Sequence, residues 1–225
     1  PEPQPRSVLE SGGLLGYEPW TGLARARELT PDQVIDELSA SGLTGRGGAA
    51  FPAGRKWRFV RDAPGERKAI VVNGDEGDPG SYIDKMLIEQ RPELLLEGVA
   101  IAAHATGADR AYVLVRSEYP QAKARLEAAL ATADLDGLEV RVVESAGSYV
   151  VGEETALLAS VEGLRGTVSA RPPFPAQRGL YGMPTLVNNV ETLCAAAAII
   201  GGNSEVARTK LACCDAGFNE PGIVE

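Results

Sequence analysis

The strongest constraint on the fold is an alternation. Three short runs rich in β-branched residues, at 69–72, 111–115 and 140–143, are separated by stretches of helical apolar periodicity at 93–106 and 119–132. Strands joined through helices return to the same end of a sheet and pair in parallel, which a hairpin-length connection cannot achieve. The pattern therefore specifies an α/β fold with a parallel sheet and flanking helices. Ligands of such sheets bind outside the carboxyl ends of the strands, so chemistry is expected in the loops after Val72, Val115 and Val143.

The remaining elements follow from local signals. Thr30-Pro31-Asp32-Gln33 combines an N-cap, a first-turn proline and a residue placed to close a capping box, with Val34, Ile35 and Leu38 on one apolar face and Gly42 as the stop. Further helices are expected from about Gly152 and over 189–200. Residues 1–29, rich in Pro and Gly without a sustained period, read as an arm that wraps a surface, residues 30–203 as the main domain, and 204–225 as the beginning of another. No apolar stretch is long enough for a membrane-spanning helix. The net charge of −9 argues against a nucleic-acid platform, which needs a dominant basic face. Cys194, Cys213 and Cys214 lack CxxC spacing and read as reduced thiols of a cytoplasmic protein, with no metal site of their own. The start at Pro1 and the stop at Glu225 suggest a processed chain or a fragment, and no secretory leader pattern opens it. His104 falls in a helical apolar pattern and reads as filler rather than a catalyst.

A glycine-rich loop, Gly45-Arg46-Gly47-Gly48-Ala49-Ala50-Phe51-Pro52-Ala53-Gly54-Arg55-Lys56-Trp57, lets backbone amides approach a phosphate or a flat ring. The dinucleotide fingerprint fails because the third glycine is missing and the loop follows a helix. The P-loop pattern fails because five residues separate Gly48 from Gly54 and Arg55-Lys56-Trp57 stands where Lys-Ser/Thr is needed. On glycine content alone, a structural loop remains as open as a binding one.

Asn73-Gly74-Asp75-Glu76-Gly77-Asp78-Pro79-Gly80 directly follows the first strand. Its carboxylates would repel phosphate but can accept hydrogen bonds from ribose, ribityl or amide groups, and Asn73 can donate and accept. Calcium binding and a plain solvated turn are the competing readings; Pro79 and the absent final glutamate disagree with a calcium loop. Glu153 and Glu154 open an apolar-periodic segment, where ordinary helix-start acids would also be favoured by the helix dipole. Arg171-Pro172-Pro173-Phe174-Pro175 reads as a stiff extended stretch, and Asn188-Asn189 as paired caps before a helix.

Taken in order, GRGGAAFPAGRKW, VVNGDEGDPGS, YVVGEETALLASVEG and RPPFPAQRGLYGMPTLVNNVETL resemble the FMN- and NADH-binding (51-kDa-type) flavoprotein subunits of respiratory complex I. That family includes the diaphorase subunits of NAD-dependent formate dehydrogenases and multimeric hydrogenases. The resemblance spans residues 30–200, and the GDEGDPG form of the acidic turn is closer to the formate dehydrogenase and hydrogenase branch. It implies a Rossmann-like sheet, followed by the start of a ubiquitin-like (β-grasp) domain at the chain's end.

The resemblance also implies roles. Gly45, Arg46, Gly47 and Lys56 would hold flavin phosphate and ring; Asn73, Asp75 and Glu76 its ribityl and ring atoms; Tyr149, Gly152 and Glu153 the ring's other side; and Asn188, Asn189 and Thr192 the phosphate end. Phe51, Phe59 and Phe174 would sandwich the adenine of NAD(H), with Asp78, Glu154 and Arg171 near the rest of the dinucleotide. Glu154 and Glu76 are the acids set beside the reacting rings, although hydride transfer to a flavin needs no protein nucleophile or base. The implied activity is an NADH:acceptor oxidoreductase working with a [2Fe–2S] thioredoxin-like subunit and further iron–sulfur or catalytic subunits, in the cytoplasm or held at a membrane through partners. Ligands for the family's [4Fe–4S] cluster are absent from this sequence. A complex I subunit or an inactive structural paralogue are the alternatives. Three positions depart from the pattern: Ala50 stands where glycine is usual, Asp78 where a glutamate is common, and Arg171 where lysine is frequent.

Overall fold

The computed structural model describes residues 14–77, 80–145 and 152–207. Its centre is a parallel sheet of β1 (Ala69–Gly74), β2 (Arg110–Arg116), β3 (Glu139–Ser145) and β4 (Thr185–Asn189), in the order β3-β2-β1-β4. The three strands read from β-branched runs are present. The fourth is a correction: Asn188 and Asn189 end a strand, and the helix after them starts one residue later than read. The short run Thr185-Leu186-Val187 behind Pro184 is its local signal, and pairing with β1 supplies the rest.

β1 is buried on both faces, as a central parallel strand must be. Ile70 and Val72 meet the larger helical layer; Ala69 and Val71 face a smaller cluster with Leu157, Leu158, Leu180 and Val187. The larger layer comprises α1 (Thr21–Glu28), α2 (Pro31–Ala40), α3 (Ala53–Asp62), α4 (Ile83–Gln90), α5 (Pro92–Thr106), α6 (Pro120–Leu130) and α8 (Val190–Ile200), while α7 (Glu154–Val161) covers the other face. Thr30 and Gln33 close the expected capping box on α2. His104 lies on α5, with Nε2 3.0 Å from the Leu29 carbonyl oxygen, and Cys194 is a buried free thiol in α8.

Three helices escape the periodicity reading. The segment read as an arm contains α1, whose Leu23 and Ala26 are buried and whose Leu23 amide donates to the buried Glu97 carboxylate at 2.9 Å. The second half of the glycine-rich loop is α3, with Ala53, Trp57 and Val60 buried at helical spacing. The third is α4, between the acidic turn and α5. Residues 171–173 form a bend with cis Arg171–Pro172 and Pro172–Pro173 bonds, not the extended run read from the prolines. Ser204–Ala207 is a 3-10 turn whose Val206 packs in the main core; the rest of 204–225, including Cys213 and Cys214, lies outside the described residues. Among the described residues no helix is long and apolar enough to cross a membrane.

Candidate functional site at the β1–β4 crevice

The chain runs from β1 outward to β2 and β3, then returns to the other side of β1 as β4. The strand order thus reverses between β1 and β4, and the loops leaving these two parallel strands start side by side at their carboxyl ends, the topological switch point where such sheets have their ligand crevice. Asn73 and Asn189 are register partners at its floor.

Hydrogen bonds draw the four sequence motifs to this edge. The Arg46 amide donates to Thr192 Oγ1 at 2.9 Å, and a Cβ at Gly47 would stand 3.3 Å from that of Asn189, so the glycine loop lies on the β4–α8 junction. Asn73 Nδ2 donates to the Gly152 carbonyl at 2.9 Å, tying the acidic turn to the start of α7. Lys56 of α3 pairs with Glu154 and donates to the Val187 carbonyl at 3.0 Å. Arg171 pairs with Glu153 and lies 3.5 Å from Glu154.

Each acid has a distinct task. Glu153 is the N-cap of α7, accepting from the Thr155 and Ala156 amides at 2.8 and 3.1 Å. Burial works against its ionisation, but these bonds, the Thr155 hydroxyl and Arg171 outweigh it and hold its carboxyl below the usual value. Glu76 accepts from Ser81 Oγ and from the Ile83, Asp84 and Lys85 amides at 2.5 to 3.3 Å, so it closes the amino end of α4. That placement gives Glu76 a capping task, with both oxygens already engaged. Asp75 differs: it is 6% exposed, and among the described residues neither carboxylate oxygen has a hydrogen-bond partner. Arg116 is 3.8 Å away and is itself held by Glu118 at 2.6 Å. Burial pushes the Asp75 carboxyl up, against the pull of Arg116 and Ser145.

At the phosphate end expected from sequence, the polar groups serve the fold. Asn188 Oδ1 accepts from the buried Trp57 indole at 3.1 Å, anchoring α3, and Asn189 caps α8 through the Thr192 amide at 3.4 Å. Asn189 also donates to Asp84 at 2.6 Å. Asp84, whose position carries no sequence signal, has its carboxyl raised well above the usual range by burial, with Glu76 and Glu191 adding to it. Arg116 also escapes the motif reading, although it ends β2 directly after Val115, at the strand end where chemistry is expected.

Phe51 and Phe59 are exposed and adjacent, with ring centroids 6.2 Å apart. Phe174 is exposed three residues beyond Arg171, and among the described residues its ring does not join the Phe51–Phe59 pair. Tyr149 and Asp78 lie outside the described residues. No group of three or more His, Cys, Asp or Glu side chains that could hold a metal occurs among the described residues.

Residues 38–198 match the family described as the Nuo51 FMN-binding domain of the complex I 51K type. The chain belongs to this family. One component of the NADH-quinone oxidoreductase of Rhizobium meliloti (strain 1021) is 41% identical, over 97% of this chain and 56% of that protein. The HndC component of the NADP-reducing hydrogenase of Solidesulfovibrio fructosivorans is 42% identical, over 87% of this chain and 42% of that protein. The crystal structure of NAD+-reducing [NiFe]-hydrogenase in the H2-reduced state is similar with a TM-score of 0.77 at 40% identity, covering 84% of this chain and 34% of that one. This chain therefore spans about half the length or less of the relatives it matches.

In this Nuo51-type domain Ala50, in the glycine-rich loop, is a non-glycine residue with a left-handed backbone. Its φ is +49°, in the left-handed region that a Cβ disfavours by about 1 kcal/mol. Ala50→Gly is expected to relieve this and raise the melting temperature by about 2–4 °C for a chain of this size. An unchanged or lower value in a thermal melt would mean that the loop carries no such strain.

Proposed function

We propose that this chain holds FMN at the β1–β4 crevice, exchanges hydride between NAD(H) and that flavin, and forms the NADH-oxidising portion of a multisubunit oxidoreductase. The observation that carries the reading is the convergence of the glycine loop, the acidic turn and the start of α7 at the carboxyl ends of β1 and β4, where the turn carries Asp75, a buried carboxylate whose oxygens lack hydrogen bonds among the described residues. A ring imide or ribityl hydroxyl is a donor of the kind those oxygens need, so FMN fits the residues present.

Bound FMN supplies the redox chemistry, taking electrons in pairs and releasing them singly. The protein's part is positioning. Asn73 joins β1 to the start of α7, and Glu76 fixes the acidic turn against α4. Lys56 and Arg171 pair with Glu153 and Glu154 where a dinucleotide would enter. Phe51 and Phe59 offer ring faces for an adenine.

Electrons would leave to iron–sulfur partner subunits, in a formate dehydrogenase or hydrogenase type of complex. The GDEGDPG form of the acidic turn supports that branch. Purification of the protein with its partners tests both levels. A visible flavin band and NADH-dependent reduction of an artificial dye, without ATP consumption, are expected, and mass spectrometry of the intact complex names the neighbours. A preparation that stays colourless after incubation with FMN would defeat the reading and favour an inactive paralogue.

A further inference from the structure

Arg55 lies on the first turn of α3 with its guanidinium over two phenyl rings. Its central carbon is 5.6 Å from the Phe51 centroid and 5.9 Å from that of Phe59. All three side chains belong to exposed residues. Neighbouring cations of the same helix are neutralised: Lys56 by Glu154, and Arg58 by Asp32 and Asp36. Among the described residues Arg55 has no carboxylate within salt-bridge distance, in a chain whose acids outnumber its lysines and arginines 31 to 22. A planar cation left without an anion beside two uncovered aromatic faces is a matched set for a ligand that carries both a flat base and a phosphate.

We infer that Arg55 is a specificity-determining residue of the dinucleotide site, donating to a phosphate oxygen of the adenosine half while the base stacks on Phe51 and Phe59. This rests on the dinucleotide reading above and adds to it the residue that grips phosphate. The contact of a cation with an exposed ring is weak, so the guanidinium can turn to a stronger acceptor without loss. Its fork of N–H donors matches two phosphate oxygens, a geometry that a lysine cannot reproduce. The amino end of α3 also favours an anion there. Two phosphates lie one ribose away from the adenine: the diphosphate at the 5′ position, common to NAD and NADP, and the 2′-phosphate of NADP alone.

Calorimetric titration of the purified protein with ADP-ribose and with 2′-phospho-ADP-ribose separates these, and requires neither flavin turnover nor an electron acceptor. Arg55→Leu is expected to weaken binding about tenfold, the scale of one charge-assisted contact at an exposed site. A loss with both ligands assigns the diphosphate, and a loss confined to the 2′-phosphorylated ligand assigns the 2′-phosphate. Arg55→Lys is expected to recover part of the affinity, and adenosine, lacking phosphate, is expected to bind the wild type and Arg55→Leu equally. Undiminished binding of both ligands by Arg55→Leu, with Phe51→Ala weakened, would overturn the assignment of Arg55 and leave the dinucleotide reading standing. A wild-type protein that binds neither ligand would bring down both.

Discussion

Replacing Asp75 by alanine is expected to cost the protein its flavin and yet make the ligand-free chain more stable. The two effects share one cause. Among the described residues both carboxylate oxygens of Asp75 are buried without a hydrogen bond, and the cation beside it, Arg116, is 3.8 Å away and engaged with Glu118. A buried polar group left unmatched costs about 1–3 kcal/mol, and a ligand donor that satisfies it recovers that cost as binding energy. Alanine removes the liability from the free protein and the acceptor from the complex. Flavin affinity should fall about 10- to 100-fold for the loss of one or two hydrogen bonds to a charged acceptor.

The stability gain should depend on pH, with a fixed sign. Burial raises the Asp75 carboxyl above the ordinary aspartate range, so the folded chain keeps this proton to higher pH than the unfolded chain does. Across that window the native state binds more protons, and stability falls as pH rises; above the folded pKa the penalty is complete. The advantage of Asp75→Ala is therefore smallest below about pH 4, where the carboxyl is protonated in the folded and largely so in the unfolded chain, and largest at neutral pH. Denaturant unfolding of flavin-free protein at two pH values, with flavin content measured after gel filtration, checks both halves. A variant that keeps stoichiometric flavin removes Asp75 from the site, and one that is less stable at neutral pH shows the carboxylate to be satisfied.

What the sequence discloses about the fold depends on where each element finds its partners. The capping box of α2 and the Asn189 cap of α8 join residues within three positions of one another, and both are readable. Helices α1 and α4 have Trp20 and Tyr82 at their N-caps, neither of which offers a side-chain cap. Their amides are met by carboxylates from elsewhere, Glu97 of α5 for α1 and Glu76 of the acidic turn for α4. No local window contains such a signal. The same limit governs the site. Motif order brings Asn73, Gly152, Glu153, Lys56 and Asn189 into one group, and the sheet's switch point brings them into one place. Residue type cannot tell which carboxylate is occupied and which is left unmatched: Glu76 and Asp75 are neighbours in the same turn, with opposite outcomes.

Gly98→Ala should destabilise the protein by about 2–3 kcal/mol, the cost of forcing extra volume into a filled core, and lower its melting temperature by about 5–10 °C. The sign is informative, because in an exposed helix the same change would stabilise by about 1 kcal/mol through helix propensity alone. Gly98 sits in the middle of α5 where that helix crosses α8. A Cβ placed on it would lie 2.3 Å from the Leu193 carbonyl oxygen and 2.6 Å from its carbon. Those are backbone atoms, which cannot rotate aside, so the two helices must separate. Trimming the side chain in Leu193→Ala therefore should not rescue Gly98→Ala, whereas it would if the obstacle were the leucine's own branches. The displacement reaches the crevice, because α8 begins with the residues that hold Asp84 and the Arg46 amide. Flavin retention should fall together with the melting temperature, although Gly98 itself is buried within α5 and the atoms nearest its added Cβ all belong to Leu193. A Gly98→Ala protein as stable as the parent would mean that the packing of α5 on α8 is looser than these distances require, and that the position of α8 is set by β4 alone.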